Sequence, residues 1–301
     1  MTETYTISSD RLTALFDPIG ARIRALHLDG GPNLILDADA PEFVAAYGGV
    51  LVGPVANRVR DSRVQIGGHS YQMPQNEGST CLHSGPDGVH VQRWSVTARG
   101  PEHLILSLVL EDGACGLPGG RQITAAFTVI GPTMQLSLHA VTDAATPMAL
   151  AHHPYWALGG PPVLRCAAVH YLPTDAANLP TGQIAPVAGT PFDFRDGRSL
   201  PPEIDHNLCL ASARRDKPEI VATLTGDKAS LTIESTEPGL QVYSGAGLPD
   251  IPGTDIAPYA GCALEPQDWP DAVNTPTFPP VLITPDSPYR QITRYTLQPA
   301  T

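Results

Sequence analysis

The feature that most constrains this chain is the pattern of its apolar runs. They are short, they alternate with polar residues, and Gly or Pro ends nearly all of them. Arg63-Val-Gln-Ile66 alternates, Gly67-Gly68 supplies a two-residue turn, and His69-Ser-Tyr-Gln-Met73 returns. The device recurs: Arg93–Arg99 pairs with His103–Leu110 across Gly100-Pro101, and Arg121–Ile130 pairs with Met134–Val141 across Gly131-Pro132. Further strands are expected at 229–234, 239–243 and 289–297. No window sustains the 3.6-residue period of an amphipathic helix, and Pro201–Arg215 is expected to hold one short helix at most. The 32 prolines, about twice the usual share, and 28 glycines fit many turns and few helices. Only sheets satisfy such a backbone, so the expected class is all-β, a large antiparallel β-sandwich. Leu172–Pro202, rich in Pro, Gly, Asp and Thr, reads as an irregular surface excursion within one domain spanning residues 1–301.

The charge balance narrows the partners. A net charge of -12 without a basic stripe opposes nucleic-acid binding, and a neutral or cationic small molecule suits this surface better. No apolar run approaches the ~20 residues of a membrane span. The opening MTETYTISSDRL lacks the basic-then-apolar pattern of a signal peptide. Cys81, Cys115, Cys166, Cys209 and Cys262 are odd in number and never spaced C-x-x-C. Reduced thiols and a cytoplasmic setting are therefore expected.

Chemistry concentrates in a few stretches. Ala151-His-His-Pro-Tyr-Trp-Ala-Leu-Gly-Gly160 places two imidazoles, which titrate near neutrality, beside two aromatic bodies suited to a cleft wall. Cys81-Leu-His83-Ser-Gly85-Pro86 puts a histidine on a loop. Gly53-Pro-Val-Ala-Asn57-Arg58 offers an amide and a guanidinium, and Glu203-Ile-Asp205-His-Asn207 is a polar cluster ahead of Leu208-Cys-Leu210. Glu265 follows Cys262-Ala-Leu264 and is fenced by Pro266, Trp269 and Pro270; apolar surroundings raise a carboxyl pKa toward neutrality. A guarded carboxylate with loop histidines is an acid–base kit without a nucleophile. There is no G-x-S-x-G elbow and no nucleotide-binding glycine pattern. A metal site from His83, His152 and His153 is disfavoured, because adjacent strand residues point to opposite faces.

Taken in order, these motifs resemble the aldose 1-epimerases, or galactose mutarotases, from about Gly48 to Leu297. The residues that carry the likeness are Gly53-x-Val-Ala-Asn-Arg58, Leu82-His83-x-Gly85, His153-Pro-Tyr155-Trp156-x-Leu158, Tyr171-Leu-Pro-x-Asp175 with Pro180-Thr-Gly182, and Asp205-His-Asn207. Pro238-Gly-Leu-Gln-Val-Tyr243-Ser-Gly245, Leu264-Glu265-Pro-Gln-x-Trp-Pro-Asp-Ala-Val-Asn274 and Phe278-Pro279 complete the series. Each is weak alone; the whole order is specific.

The resemblance implies a β-supersandwich with an open carbohydrate cleft and a monosaccharide as the partner. It implies His153 as general acid and Glu265 as general base, with His83 supporting the ring oxygen or a neighbouring hydroxyl. Asn57, Arg58, Tyr155, Asp205 and Gln241 would hold the sugar hydroxyls, Trp156 would add cleft wall, and no cofactor or metal is needed. Opening the C1–O5 bond, rotating about C1–C2 and reclosing would exchange the anomers of a free galactose, glucose or pentose. A sugar-binding protein without turnover and a hexose-phosphate mutarotase are the alternatives; the paired His153 and Glu265 and the scarcity of basic groups argue against them. Departures at Gly116–Gly120, Trp156-Ala157 and Ala246 are expected to border the cleft and to bear on sugar preference.

Overall fold

The computed structural model describes residues 3–300. Nine antiparallel strands form the larger sheet, in the order Arg198–Ser199, Val163–Cys166, Glu219–Thr225, Ala229–Ser235, Tyr289–Pro299, Thr133–Thr142, Arg121–Ile130, His103–Leu110 and Ser95–Arg99. Its strands show the alternation read from the sequence. Ile123, Ala125, Phe127 and Val129 are buried, while Gln122, Thr124, Ala126 and Thr128 face outward. One face therefore packs and the other meets water. The expected turn at Gly67-Gly68 forms with both residues at positive φ, the conformation such a two-residue hairpin demands.

A second sheet of six antiparallel strands runs Tyr155–Trp156, Cys262–Gln267, Gly239–Tyr243, Asp205–Cys209, His170–Tyr171 and Ala185–Pro186. A three-stranded sheet, Tyr5–Ser8, Leu12–Asp17 and Arg22–Leu28, packs against the nine-stranded one. One continuous apolar core joins all three. Phe16 meets Phe127 at 4.4 Å between ring centroids, and Trp156 meets Tyr295 at 5.2 Å. The chain is the all-β sandwich that the alternation predicts.

Two local expectations change. Pro201–Arg215 holds no helix; Asp205–Cys209 is instead an interior strand paired to Gly239–Tyr243. Its Leu208 and Asn207 are buried on opposite faces, which suits a strand covered on both sides. Among the described residues the one α-helix is Pro41–Ala45, a single turn begun by proline that buries Phe43 against Tyr155. The excursion from 172 to 202 is largely irregular, as expected, but supplies an edge strand to each large sheet, Ala185–Pro186 to one and Arg198–Ser199 to the other.

Candidate active site

Four strands of the six-stranded sheet divide their residues between the core and a cleft. Along Cys262–Gln267, Cys262 and Leu264 join the core, so Ala263 and Glu265 face the other way. Leu240 and Val242 of the neighbouring strand face the core, leaving Gln241 and Tyr243 to the cleft. Register then lays down two rungs. Asn207, Gln241 and Glu265 lie across one; Asp205, Tyr243, Ala263 and Tyr155 lie across the next. Period-two alternation and pairing alone thus collect Tyr155, Asp205, Gln241 and Glu265 on one surface.

His153 completes it from the segment between two short strands, Ala151–His152 and Tyr155–Trp156. Its backbone N–H donates to the Val50 carbonyl, and its own carbonyl accepts from Gly49. Nε2 stands 3.5 Å from Glu265 Oε1, with both side chains almost wholly buried. Neither the second carboxylate oxygen nor Nδ1 makes a hydrogen bond of normal geometry among the described residues. Burial pushes the His153 imidazole down to about 4. It pushes the Glu265 carboxyl well above the usual range, aided by the negative charge of Asp205 and opposed by Arg58. Both shifts favour the neutral form of each group. At this separation a proton on the carboxyl could pass to the imidazole with the proton count of the pair unchanged.

The opposite wall comes from two short paired strands, Arg58–Val59 and Cys81–Leu82. Asn57, His83 and Ser84 around them all adopt positive φ. Such backbone persists only where surroundings fix it. Here Asn57 and His83 bind each other. The Asn57 N–H donates to His83 Nδ1 at 3.1 Å, and the His83 N–H donates to the Asn57 carbonyl at 3.1 Å. Accepting at Nδ1 puts the ring proton of neutral His83 on Nε2, and burial holds its pKa well below the ordinary value. His83 is therefore a neutral donor. Tyr47, beyond the helix, packs edge-on to it at 4.5 Å.

Arg58 is locked by two carboxylates. Nε and Nη2 donate to Glu77 at 2.7 and 3.0 Å, and Nη1 donates to Asp205 at 3.2 Å. The other Asp205 oxygen accepts from Gln241 Nε2 at 2.6 Å. Arg58, Asp205 and Gln241 thus form one polar wall with fixed orientations, and the guanidinium charge is already balanced. Tyr155 donates its hydroxyl to the Ala46 carbonyl at 3.0 Å.

These residues enclose a cleft of about 370 Å³ that brings together all eight residues singled out from the sequence: Asn57, Arg58, His83, His153, Tyr155, Asp205, Gln241 and Glu265. Such a volume lies toward the small end of ligand sites, ~300–1,000 Å³.

A family model described as aldose 1-epimerase matches residues 3–296. The galactose mutarotase of Mus musculus is 34% identical, covering 97% of this chain and 92% of that protein. The chain belongs to the aldose 1-epimerase family. The aldose 1-epimerase of Escherichia coli (strain K12) is 29% identical over 83% of this chain and 80% of its own length. The crystal structure of a GalM/aldose epimerase homologue from C. elegans superposes with a TM-score of 0.92 at 27% identity, covering 100% of both chains.

Within this epimerase fold two expectations need correction. Trp156 is not cleft wall: it alternates away from Tyr155 and packs on Tyr295 in the core. Ala157 and Trp156 instead border a separate cavity of about 990 Å³, with Leu36, Leu158, Leu200 and Ile256, which contains neither His153 nor Glu265. Of the departures expected at the cleft, Ala246 lines it, whereas Gly116–Gly120 and Trp156-Ala157 do not. Trp269, which follows Glu265 in its motif, packs against Phe278 at 5.1 Å and donates to the Pro238 carbonyl. His152 does face away from His153, between Phe127 and Tyr295.

Sequence reasoning missed Tyr47, Asn178, Glu203 and Tyr243 as cleft residues. Tyr243 was accessible from periodicity, two residues beyond Gln241 on the same face. Nothing local marks Asn178, which the surface excursion carries to the rim.

Proposed function

We propose that this chain is an isomerase that interconverts the α and β anomers of a free aldose by acid–base ring opening and reclosure. The observation that carries this reading is the 3.5 Å approach of His153 Nε2 to Glu265 Oε1 inside a small cleft walled by Arg58, Asp205 and Gln241. A pyranose carries two sites that exchange protons when C1–O5 breaks: the anomeric hydroxyl and the ring oxygen. Glu265 takes the anomeric proton and protonated His153 gives one to the ring oxygen, while the C1–O5 electrons move to that oxygen. The open-chain aldehyde rotates about C1–C2, and the same transfers in reverse close the other anomer. The sugar's own hydroxyl favours the charged pair, because a donor to the carboxylate lowers its pKa.

His83, a neutral donor at Nε2, supports the ring oxygen or an adjacent hydroxyl. Arg58, Asn57, Asp205, Gln241 and Tyr155 hold the remaining hydroxyls. Because Glu77 and Asp205 already balance Arg58, the cleft suits an uncharged sugar over a phosphorylated one. The continuous core supports one domain over residues 1–301. The five cysteines are free and buried, which supports a reducing, cytoplasmic setting. Among the described residues no helix is long and apolar enough to cross a membrane.

Polarimetry on freshly dissolved α-galactose, α-glucose, α-xylose and arabinose tests the reading. Acceleration over the spontaneous rate is expected for at least one; spontaneous rates throughout would overturn it.

A further inference from the structure

His153 and Glu265 come from distant segments, and strand pairing joins those segments on one side only, where Tyr155 lies opposite Ala263. On the other side the ladder stops. Pro154 and Pro266 flank the pair, and neither has an N–H to donate. There a bridge arrives from the opposing sheet. The Leu150 N–H, three residues before His153, donates to the Tyr289 hydroxyl at 3.2 Å. That hydroxyl donates to Gln291 Oε1 at 2.6 Å, and Gln291 Nε2 donates to the carbonyl of Pro266, next to Glu265, at 3.0 Å.

Tyr289 and Gln291 are buried on the same face of Tyr289–Pro299. The Tyr289 ring is itself pinned, with the Arg214 guanidinium 4.4 Å from its centroid. Arg214 is held in turn by Glu237 at 2.8 Å and by Asp268, three residues beyond Glu265, at 2.6 Å. A hydroxyl and an amide inside an apolar core carry a desolvation cost that Leu or Phe would not. Spent here, it closes the open side of the acid–base pair.

We infer that Tyr289 and Gln291 are positioning residues that set the spacing of His153 and Glu265. The inference rests on the acid–base reading of that pair. Displacing a reacting group by about 1 Å can cost on the order of 100-fold in rate.

The test compares Tyr289→Phe and Gln291→Met with Val129→Ala, a buried change on the inner face of the same sheet. Three readouts are taken: kcat and KM for anomerisation, the thermal midpoint, and the NMR titration of His153. Both bridge variants are expected to lower kcat at least about tenfold with KM within about twofold, and to move the His153 titration. Val129→Ala is expected to lower the thermal midpoint while leaving kcat and the titration as in the wild type. Combined, the two bridge changes should cost little more than either alone, since each breaks the same link. Should Tyr289→Phe fail to fold, Gln291→Met carries the test. An unmoved His153 titration, or kcat losses no greater than those of Val129→Ala, would overturn the positioning role. A wild-type protein that leaves the anomers at their spontaneous rate, with a titration that still moves in the variants, would sink the mutarotase reading and keep the bridge.

Discussion

His153 and Glu265 sit 3.5 Å apart, and burial drives their pKa values in opposite directions, the imidazole down and the carboxyl up. Burial favours the neutral form of each, yet the proposed anomerisation needs both charged forms within reach. A shared proton reconciles the two demands.

Replacing either member should therefore remove catalysis and spare recognition. Glu265→Gln and His153→Asn are each expected to lower kcat by ~10²–10⁴-fold, the usual worth of a general acid or base. Sugar affinity, which the proposed function assigns to the Arg58–Asp205–Gln241 wall, should stay near the wild-type value. Polarimetry with a parallel binding titration checks both halves. Wild-type turnover in either variant would refute the assignment.

Glu265→Gln should also stabilise the fold at neutral pH. The folded protein holds the carboxyl pKa above its unfolded value, so stability is fully present below the unfolded pKa and is lost as pH rises through the folded one. The amide does not titrate. Thermal midpoints at pH 5 and pH 8 should show the variant gaining on the wild type at the higher pH. An equal or smaller difference at pH 8 would contradict the shift.

The activity profile follows from the proton count. In the proposed mechanism the pair works with one proton between its members, so activity should hold through neutrality and fall as pH drops toward about 4, where a second proton binds and no base remains. At high pH, losing the last proton removes the acid. A kcat/KM profile recorded across pH 3.5–10 tests both limbs, and an acid limb centred near neutrality would refute this ordering.

His152 offers a control free of catalysis. Its ring lies between Phe127 and Tyr295, neither nitrogen makes a hydrogen bond of normal geometry, and burial lowers its pKa to about 3. The unfolded chain takes up this proton near pH ~6.5 whereas the folded one does not, so stability falls as pH drops from there toward 3. At pH 5 that linkage costs about 2 kcal/mol. His152→Leu should flatten the acid side of the stability curve by about this amount. Denaturant midpoints at pH 5 and pH 8 measure it, and an unchanged slope would show that the proton is bound elsewhere.

Phosphorylated sugars should be poor substrates. Arg58 is committed to Glu77 and Asp205, and the exposed Glu203 adds negative charge at the rim. The kcat/KM for glucose 6-phosphate is expected to fall below that for glucose, with the gap narrowing as salt screens the cleft. A preference for the phosphate would point to a cation not in this wall.

The sequence makes plain those parts that alternate. Arg121–Ile130 and Thr133–Thr142 read as a hairpin because every second residue is apolar and Gly131-Pro132 turns the chain. That His153 and Glu265 share a cleft was legible because their motifs lie in the family order, and that His152 does not was legible because neighbours on a strand diverge. Trp156 misled by the same logic unapplied: one residue beyond Tyr155, it had to face the core. Asp205–Cys209 was obscured because a strand covered on both faces loses its alternation. The link from Tyr289 through Gln291 to Pro266 depends on contact between sheets, which no local pattern encodes.

The larger cavity behind Trp156 bears on how ligands of this protein should be sought. At about 990 Å³ against 370 Å³ for the cleft, and lined in part by Leu36, Leu158, Leu200 and Ile256, it is the roomier of the two spaces. A library screened by thermal shift or direct binding would report on occupants of that chamber as well as of the cleft. Only a primary screen that follows optical rotation would pick out molecules competing at Glu265, and any hit that slows turnover without displacing sugar would report a path from Trp156 to its neighbour Tyr155.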